Sequence, residues 1–238
     1  MPAERYYSEP LSSKDSEIAL EGQELHHLLH VMRNQVGDHV EIINGKGILA
    51  KAVVDKIDKR RALLKIIELH VSQPDPFSLI LAQGIPRANR LDFILEKGTE
   101  LGMNELWLFP GTHSEKKTLS EQRLKALLIA AMKQCGRVFI PTLKIMPPLN
   151  KWEKPKFPCF FGDTNPSAKS FEAAWKAHQP KNGAVVCIGP ESGFNEEEVK
   201  KLESLEAIGV TLHENILRTD TAALAALTMA WHYKTAPL

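Results

Sequence analysis

The segment 184–194, AVVCIGPESGF, passes from a short apolar run into a glycine-rich turn. An apolar run of this length that ends at Gly-Pro predicts a buried strand. Asn195 follows the turn, and Glu198 lies three residues later, which is typical of the capping box that begins a helix. Open α/β sheets bind ligands at such strand-to-helix junctions. The same residues also fit a strand-to-helix turn that binds nothing.

The alternation of strand and helix continues on both sides of this segment. Apolar runs predict further strands at Phe77–Gly84, Glu105–Phe109, Cys159–Gly162 and Gly209–Leu212, and apolar residues at helical spacing predict helices at about 91–101, 120–135, 167–178, 196–205 and 220–233. Alternation of this kind predicts an α/β fold with a parallel sheet flanked by helices. A second loop-to-helix junction, LRTDTA, spans residues 217–222.

The first 76 residues carry a different pattern. β-branched or alternating runs predict strands at Asp38–Asn44, Ile48–Ile57 and Arg61–Val71, preceded by a short helix at about 23–33. Asn44-Gly45 marks a hairpin turn, because positive φ is easily reached there. We therefore expect a small antiparallel barrel or sheet. The two prolines in Gln73–Pro76 interrupt regular structure, and they predict domains at 1–73 and 74–238.

The composition is that of a globular protein. The 238 residues are 43% hydrophobic and 25% charged, and no apolar run reaches the roughly 20 residues of a membrane span. A polar start and three well-separated cysteines (Cys135, Cys159 and Cys187) lead us to expect a cytoplasmic protein without disulfides or a membrane partner. With 30 Lys and Arg against 29 Asp and Glu, the chain is no polycation, so a nucleic-acid partner must be argued from local features.

Common nucleotide and metal signatures are missing. Neither GxxxxGK[ST] nor a GxGxxG after a strand occurs, which argues against P-loop and Rossmann-type sites. His26 and His30 have the i, i+4 spacing of metal ligands, but no third ligand accompanies them, so we expect no metal. The cations at 59–61 fit either a solvated turn or a contact with phosphate.

Several segments in register resemble those of the RsmE family, the methyltransferases that modify N3 of a uridine in 16S ribosomal RNA. The segments are Arg5–Tyr7, His26–Leu28, Val31–Arg33, Gly37–Asp38, Gln83, Glu96–Gly102, Gln134–Arg137, Gly189–Phe194 and Leu217–Ala222. The resemblance covers nearly the whole chain. It implies a PUA-like β-barrel followed by a SPOUT-type α/β domain with a deep trefoil knot, in a homodimer that acts on 16S rRNA or the small ribosomal subunit.

The resemblance also implies S-adenosylmethionine as cofactor and assigns residues to it. The expected cofactor-binding residues are Gly162, Asp163, Ile188, Gly189, Pro190, Glu191, Gly193, Leu212, Ile216, Leu217, Thr221 and Ala222. The chain departs from the family pattern at Ser192 and His213, which stand where glycine is usual, and at Asn215, which stands where arginine is usual. His213 in place of glycine predicts strain in a loop close to the cofactor.

The remaining expected roles are removal of the N3 proton of the uracil, stabilisation of the negative charge that this leaves, and contact with the RNA. Removal of the N3 proton leaves negative charge on the uracil, and Arg218 is the candidate that stabilises it. Glu191 is the first candidate for the general base and Asp220 the second, although each carboxylate also suits a helix N-terminus. Arg5, Arg33 and Arg137 are the expected RNA contacts. Another SPOUT enzyme acting on ribose O2′ or tRNA, and a non-catalytic RNA-binding assembly protein, remain alternatives.

Overall fold

The computed structural model describes residues 5–112 and 119–235, which form two compact units. The first comprises Met1–Pro74 with Ile129–Ile140, and the second comprises Asp75–Leu128 with Pro141–Leu238. The inclusion of Ile129–Ile140 in the first unit was not predicted from the sequence. Within the described ranges, no helix has both the length and the apolar character that a bilayer crossing requires.

The first unit is built on a five-stranded sheet. Its strands are β1 (Arg5–Tyr7), β2 (Glu17–Glu21), β3 (His39–Ile43), β4 (Ile48–Ile57) and β5 (Arg61–Val71), in the order β1-β3-β4-β5-β2. The bounds of β4 and β5 agree with the prediction, whereas β1 and β2 were missed. The expectation of an antiparallel sheet needs one correction, because β1 pairs parallel with β3.

Alternate residues of these strands fill the core of the first unit. Ala50, Ala52 and Val54 on β4 are fully buried, as is Leu64 on β5. This is the period of two expected when one face of a sheet is covered. The turn between β3 and β4 needs Gly47, which has φ +99° and where a Cβ would lie 2.5 Å from the ring of Phe139.

The predicted helix at 23–33 is shorter and less regular than expected. It consists of α1 (Gly22–His26) followed by a π-helical turn, His27–Val31. Arg33 has φ +61°, in the left-handed region, and this backbone reversal prevents the helix from continuing. Tyr6 anchors the segment that follows, because its hydroxyl donates to Asn34 Oδ1 at 2.5 Å.

The second unit contains a seven-stranded sheet in which every strand pairing is parallel, as predicted. The strands are β6 (Ser78–Gly84), β7 (Glu105–Phe109), β8 (Thr142–Ile145), β9 (Cys159–Gly162), β10 (Lys169–Ser170), β11 (Gly183–Ile188) and β12 (Ile208–Thr211), in the order β10-β12-β9-β11-β6-β7-β8. The helices are α2 (Ala88–Glu100), α3 (Glu121–Cys135), α4 (Phe171–His178), α5 (Glu196–Ser204) and α6 (Thr219–Thr235). α3 crosses the division between the units.

Two edge strands and one helix start differ from the sequence prediction. β8 and β10 were not predicted, because four exposed or half-buried residues and a two-residue strand carry no readable period. The helix expected from Ser167 begins instead at Phe171. Ser170 is its N-cap, and its Oγ accepts a hydrogen bond from the Ala173 N–H at 3.2 Å.

β11 lies at the centre of this sheet, and all six of its residues are buried. Val185 and Cys187 pack in one core cluster with Ile80 of β6 and Phe161 of β9. The neighbouring strands β9 and β6 therefore hold the end of β11 firmly. The turn that follows Ile188 leaves the sheet from a rigid base.

Candidate functional site

A cavity of about 1060 Å³ lies at the carboxyl ends of β9, β11 and β12. These strands are parallel neighbours in the order β12-β9-β11, so the loops that follow them meet at one edge of the sheet. Small-molecule sites usually enclose about 300–1,000 Å³. The cavity therefore has the volume of a large ligand site.

Most residues that the sequence predicted for the site line this cavity. They are Gly162, Asp163, Ile188, Gly189, Pro190, Glu191, Gly193, Leu212, Ile216, Leu217, Arg218 and Ala222. Thr221 is not among the described residues that line it. Thr221 is exposed on α6, and its backbone N–H donates to Asp220 Oδ1 at 3.0 Å.

The turn after β11 folds tightly on itself. A Cβ on Gly189 would lie 3.0 Å from the carbonyl carbon of Gly193, so a side chain at Gly189 would force these backbones apart. Gly193 has φ +70°, whereas Ser192 does not have a left-handed backbone. The departure at Ser192 from the family pattern therefore does not strain the turn.

The loop after β12 is stabilised by His213. The backbone of His213 is not left-handed, so it carries no strain of that kind, and the effect of the side chain next to the cofactor stays a prediction. His213 Nδ1 accepts a hydrogen bond from the Asn215 N–H at 3.0 Å, and the His213 carbonyl accepts one from Thr211 Oγ1 at 3.1 Å. The imidazole thus closes a local turn, much as an Asn or Asp side chain does.

A buried polar network joins the cavity loops to the sheet. Gln83, at the end of β6, is fully buried, and its Nε2 donates to Thr219 Oγ1 at 2.9 Å. Thr219 Oγ1 in turn donates to the Gly189 carbonyl at 2.6 Å. Because a buried polar group left unpaired costs about 1–3 kcal/mol, these bonds hold the turn after β11 against the start of α6. The family motif pointed to Gln83, but the part played by Thr219 required the structure.

Arg90, in the first turn of α2, is a cavity residue that the sequence reasoning missed. Its Nε lies 3.3 Å from Glu191 Oε1, and its Nη1 lies 3.0 Å from Asp220 Oδ1. Glu191 Oε1 also accepts the backbone N–H of Arg87 at 3.0 Å. A signal was available, because a cation in the first turn of a helix opposes the helix dipole and needs acidic partners.

Arg218 lies in the loop that leads into α6, where it lines the cavity and is exposed. Within the described part of the chain, its guanidinium makes no hydrogen bond or ion pair. The backbone carbonyl of Arg218 accepts the Ala222 N–H at 2.7 Å, which ties the residue to the first turn of the helix. Arg218 therefore offers an unpaired cation from an anchored backbone.

The three arginines expected to contact RNA all belong to the first unit. Arg33 is exposed. Arg5 is largely buried, and its Nε donates to Glu41 Oε2 at 2.6 Å, so its guanidinium serves the packing of β1 on β3. The burial of Arg5 argues against the direct RNA contact that we expected. Arg137 follows Gly136 in the segment that joins this unit from later in the chain.

Two other reactive groups have no visible role in the site. Burial raises the pKa of the Cys159 thiol to about 12, and it raises the pKa of Cys187 well above its usual value. Both thiols therefore stay protonated and are poor nucleophiles. Residues 5–112 and 119–235 contain no group of three or more His, Cys, Asp or Glu side chains arranged to hold a metal ion.

The structure combines a small β unit with a parallel α/β unit whose cavity is formed by three loops. Family models identify the class of protein that has this arrangement. A family model described as RNA methyltransferase domain matches residues 73–231, and one described as RNA methyltransferase PUA domain matches residues 20–67. The chain belongs to this family of RNA methyltransferases. The expected α/β fold with a PUA-like N-terminal domain is confirmed, and the seven-stranded parallel sheet fits the SPOUT type. The trefoil knot stays a prediction.

Named relatives have a similar length. The chain is 26% identical over 246 residues to ribosomal RNA small subunit methyltransferase E of Bacillus subtilis, covering 94% of each protein. It is 26% identical to the protein of that name from Helicobacter pylori, covering 95% of this chain and 99% of the relative. A crystal structure of the Neisseria gonorrhoeae protein of that name, bound to S-adenosyl methionine, aligns with TM-score 0.84 at 26% identity, covering 97% of this chain and 98% of the other. The expected resemblance to the RsmE family is confirmed.

Proposed function

We propose that this protein transfers the methyl group of S-adenosylmethionine to small-subunit ribosomal RNA, and that the acceptor atom is N3 of a uridine. The observation that carries the proposal is the cavity formed by the loops after β9, β11 and β12 in a chain of the RNA methyltransferase family. Relatives that align over nearly their whole length are named for methylation of small-subunit ribosomal RNA.

The residues of the cavity suit this cofactor. Ile188, Leu212 and Leu217 provide apolar walls on which an adenine ring can pack. Asp163 and Glu191 add negative charge to the lining, which suits a ligand with a positively charged sulfur. Gly193 lines the cavity and has nothing within 4 Å of the place where a Cβ would lie, so polar atoms of a nucleoside can approach its main chain closely.

When bound, the cofactor supplies a methyl group on a positively charged sulfur for in-line displacement by the acceptor. The chain's own contribution is to hold both reactants, and positioning of this kind is worth roughly 7–11 kcal/mol. The anchored turn after β11 and the loop after β12 define one side of the cavity. Arg218 at the edge of that loop places a positive charge where negative charge develops on the uracil oxygens.

Glu191 is the candidate for accepting the N3 proton. Its Oε1 is held by the Arg87 N–H and by Arg90 Nε, while its Oε2 accepts no hydrogen bond from a described residue. The carboxylate is therefore oriented and has an oxygen available for a proton. Asp220 is the second candidate, because its Oδ1 is held by Arg90 Nη1 and the Thr221 N–H in the same manner.

The N-terminal domain, residues 1–73, is the proposed RNA-holding part, and 74–238 the methyltransferase part. A match to a PUA domain of RNA methyltransferases over residues 20–67 supports the first assignment. We propose Arg33 and Arg137 as phosphate or base contacts, since cations of this type orient nucleic acid. Arg5 has an indirect role in RNA binding, because its ion pair with Glu41 holds β1 against β3 in this domain.

We also propose that the protein is a homodimer in the cytoplasm. Phe93 on α2 and Trp231 on α6 are 44% and 51% exposed on two helices that pack together, so both side chains are available to a second copy. A second copy that covers them accounts for this exposure. A monomeric mass in sedimentation velocity at micromolar concentration would contradict the dimer.

The deciding experiment compares small-subunit ribosomal RNA from cells with and without this protein. We expect mass mapping to find one N3-methyluridine that disappears when the gene is removed and returns when purified protein and S-adenosylmethionine are added to that RNA or to the small subunit. A methyl group at ribose O2′ or in transfer RNA would instead support another enzyme of this fold. Calorimetry that detects no binding of S-adenosylmethionine would support a non-catalytic RNA-binding protein.

A further inference from the structure

Arg90 occupies an unusual position for a cation. It lies in the first turn of α2, which has no acidic residue of its own, and the side chain of the N-cap residue Arg87 makes no capping hydrogen bond. The helix dipole presents partial positive charge at this end, so an isolated arginine there is unfavourable. The side chain is only 21% exposed, which makes external compensation necessary.

The compensation comes from two separate segments, a cavity loop and the start of α6. Glu191 belongs to the turn after β11, and Asp220 to the start of α6, directly after the loop that follows β12. Their side chains are 33% and 22% exposed, and both reach the same guanidinium. The planar fork of an arginine can serve two carboxylates at once, whereas a lysine ammonium acts as a single point charge.

We propose that Arg90 is a positioning residue that holds the turn after β11 and the start of α6, which ends the loop after β12, at the spacing that the cofactor requires. The inference rests on the proposed function in that it takes S-adenosylmethionine as the ligand of this cavity. Arg90 acts through Glu191 and Asp220, and the backbone N–H of Arg87 supports the same contact. The described ion pairs provide no second cation to either carboxylate. Loss of Arg90 therefore removes the charged restraint between the two segments and leaves the Gln83–Thr219–Gly189 hydrogen bonds.

The test uses Arg90→Ala, Arg90→Lys and a control, Arg123→Ala. Arg123 pairs with Asp92 of α2, with Nη1 2.9 Å from Oδ1, and neither residue lines the cavity. Hydrogen exchange in cofactor-free protein is the first readout. Backbone amides at 189–194 and 212–219 should exchange at least about fivefold faster in Arg90→Ala, and at the wild-type rate in Arg123→Ala.

Calorimetry with S-adenosylmethionine is the second readout. If the competent arrangement falls to a tenth of the population, the Kd rises about tenfold in Arg90→Ala. Arg90→Lys should lie between wild type and Arg90→Ala, and the single-turnover rate at saturating cofactor should change less than the Kd. Equal loop exchange in Arg90→Ala and wild type would overturn the inference, as would an unchanged Kd with a lost rate.

Failure of the proposed function would give different results from failure of the inference about Arg90. If wild-type protein binds the cofactor but methylates no RNA, the exchange and affinity differences still test Arg90. If wild-type protein does not bind the cofactor, the proposed function fails, and so does the spacing role that depends on it. Faster loop exchange in Arg90→Ala would then show only that the ion pairs restrain the loops.

Discussion

Arg218 carries the clearest prediction for a single residue, because its guanidinium faces the cavity without a partner among the described residues. Arg218→Ala should lower the single-turnover methylation rate by about 10²–10³, the usual effect of removing a group that stabilises transition-state charge. The Kd for S-adenosylmethionine should change little. Rapid-quench assays with labelled cofactor and calorimetry measure the two quantities.

A matched variant separates charge from geometry at this position. Arg218→Lys keeps the positive charge but loses the planar fork, so its rate should lie between those of the wild type and the alanine variant. A near-normal rate in Arg218→Ala would exclude Arg218 from charge stabilisation. Unlike Arg218, the side chains of Glu191 and Asp220 already have a charged partner, because both pair with Arg90.

At the scale of secondary-structure elements, the prediction concerns the hydrogen bonds between the turn after β11 and the start of α6. Thr219→Val keeps the shape of the side chain but removes the hydroxyl that accepts from Gln83 and donates to the Gly189 carbonyl. Gln83 Nε2 and the Gly189 carbonyl each lose one partner but keep their direct bond to each other at 3.2 Å, so the free energy of unfolding should fall by about 0.5–1.5 kcal/mol. Urea unfolding followed by circular dichroism measures the change.

Thr228→Val is the control on the same helix. Thr228 is exposed, and its hydroxyl donates only to the Leu224 carbonyl one turn earlier, at 2.8 Å. Its replacement should change the free energy of unfolding by less than about 0.5 kcal/mol. Equal effects of the two substitutions would mean that the Gln83–Thr219–Gly189 network does not hold the cavity loops.

At the scale of the whole molecule, the near-neutral charge limits how RNA can be bound. A chain with 30 basic and 29 acidic residues has no general positive field, so a few placed arginines must supply the phosphate contacts. We expect selective binding to a structured target and weak binding to arbitrary RNA at physiological salt. Each phosphate contact that is lost should reduce the slope of log K against log salt by about 0.7–0.9.

Arg33→Ala tests this expectation. Arg33 is exposed, so its removal should weaken RNA binding and reduce the salt slope by about one contact. Arg33→Lys is the matched control, because it keeps the charge and carries the same Cβ at φ +61°, so both variants share the same backbone strain. Filter binding across a salt series gives the slopes, and identical slopes for Arg33→Ala and wild type would rule out a phosphate contact.

Local patterns allowed much of the fold to be predicted. The bounds of β4, β5, β7 and β9 follow from the period of apolar residues. The capping box of Asn195 and Glu198 forms as predicted, with Glu198 N–H donating to Asn195 Oδ1 at 2.8 Å. Twelve of the thirteen residues that the family motifs assigned to the site line the cavity. In each case the information lies within a few consecutive residues.

The tertiary structure decided what depends on distant partners. The edge strands β1, β8 and β10 have two to four residues, too few to show a period, and they form by pairing with a neighbour. β2 alternates exposed and buried residues, so its pattern was readable in the sequence although it was missed. Arg90 pairs with carboxylates more than a hundred residues later in the chain, and Thr219 forms hydrogen bonds with Gln83 and Gly189. Local sequence shows none of these contacts. The sequence alone determined the longer elements and the chemistry at their ends. Parallel pairing in three dimensions determined which of those ends meet, because hydrogen bonds and ion pairs across the sheet do not depend on local spacing.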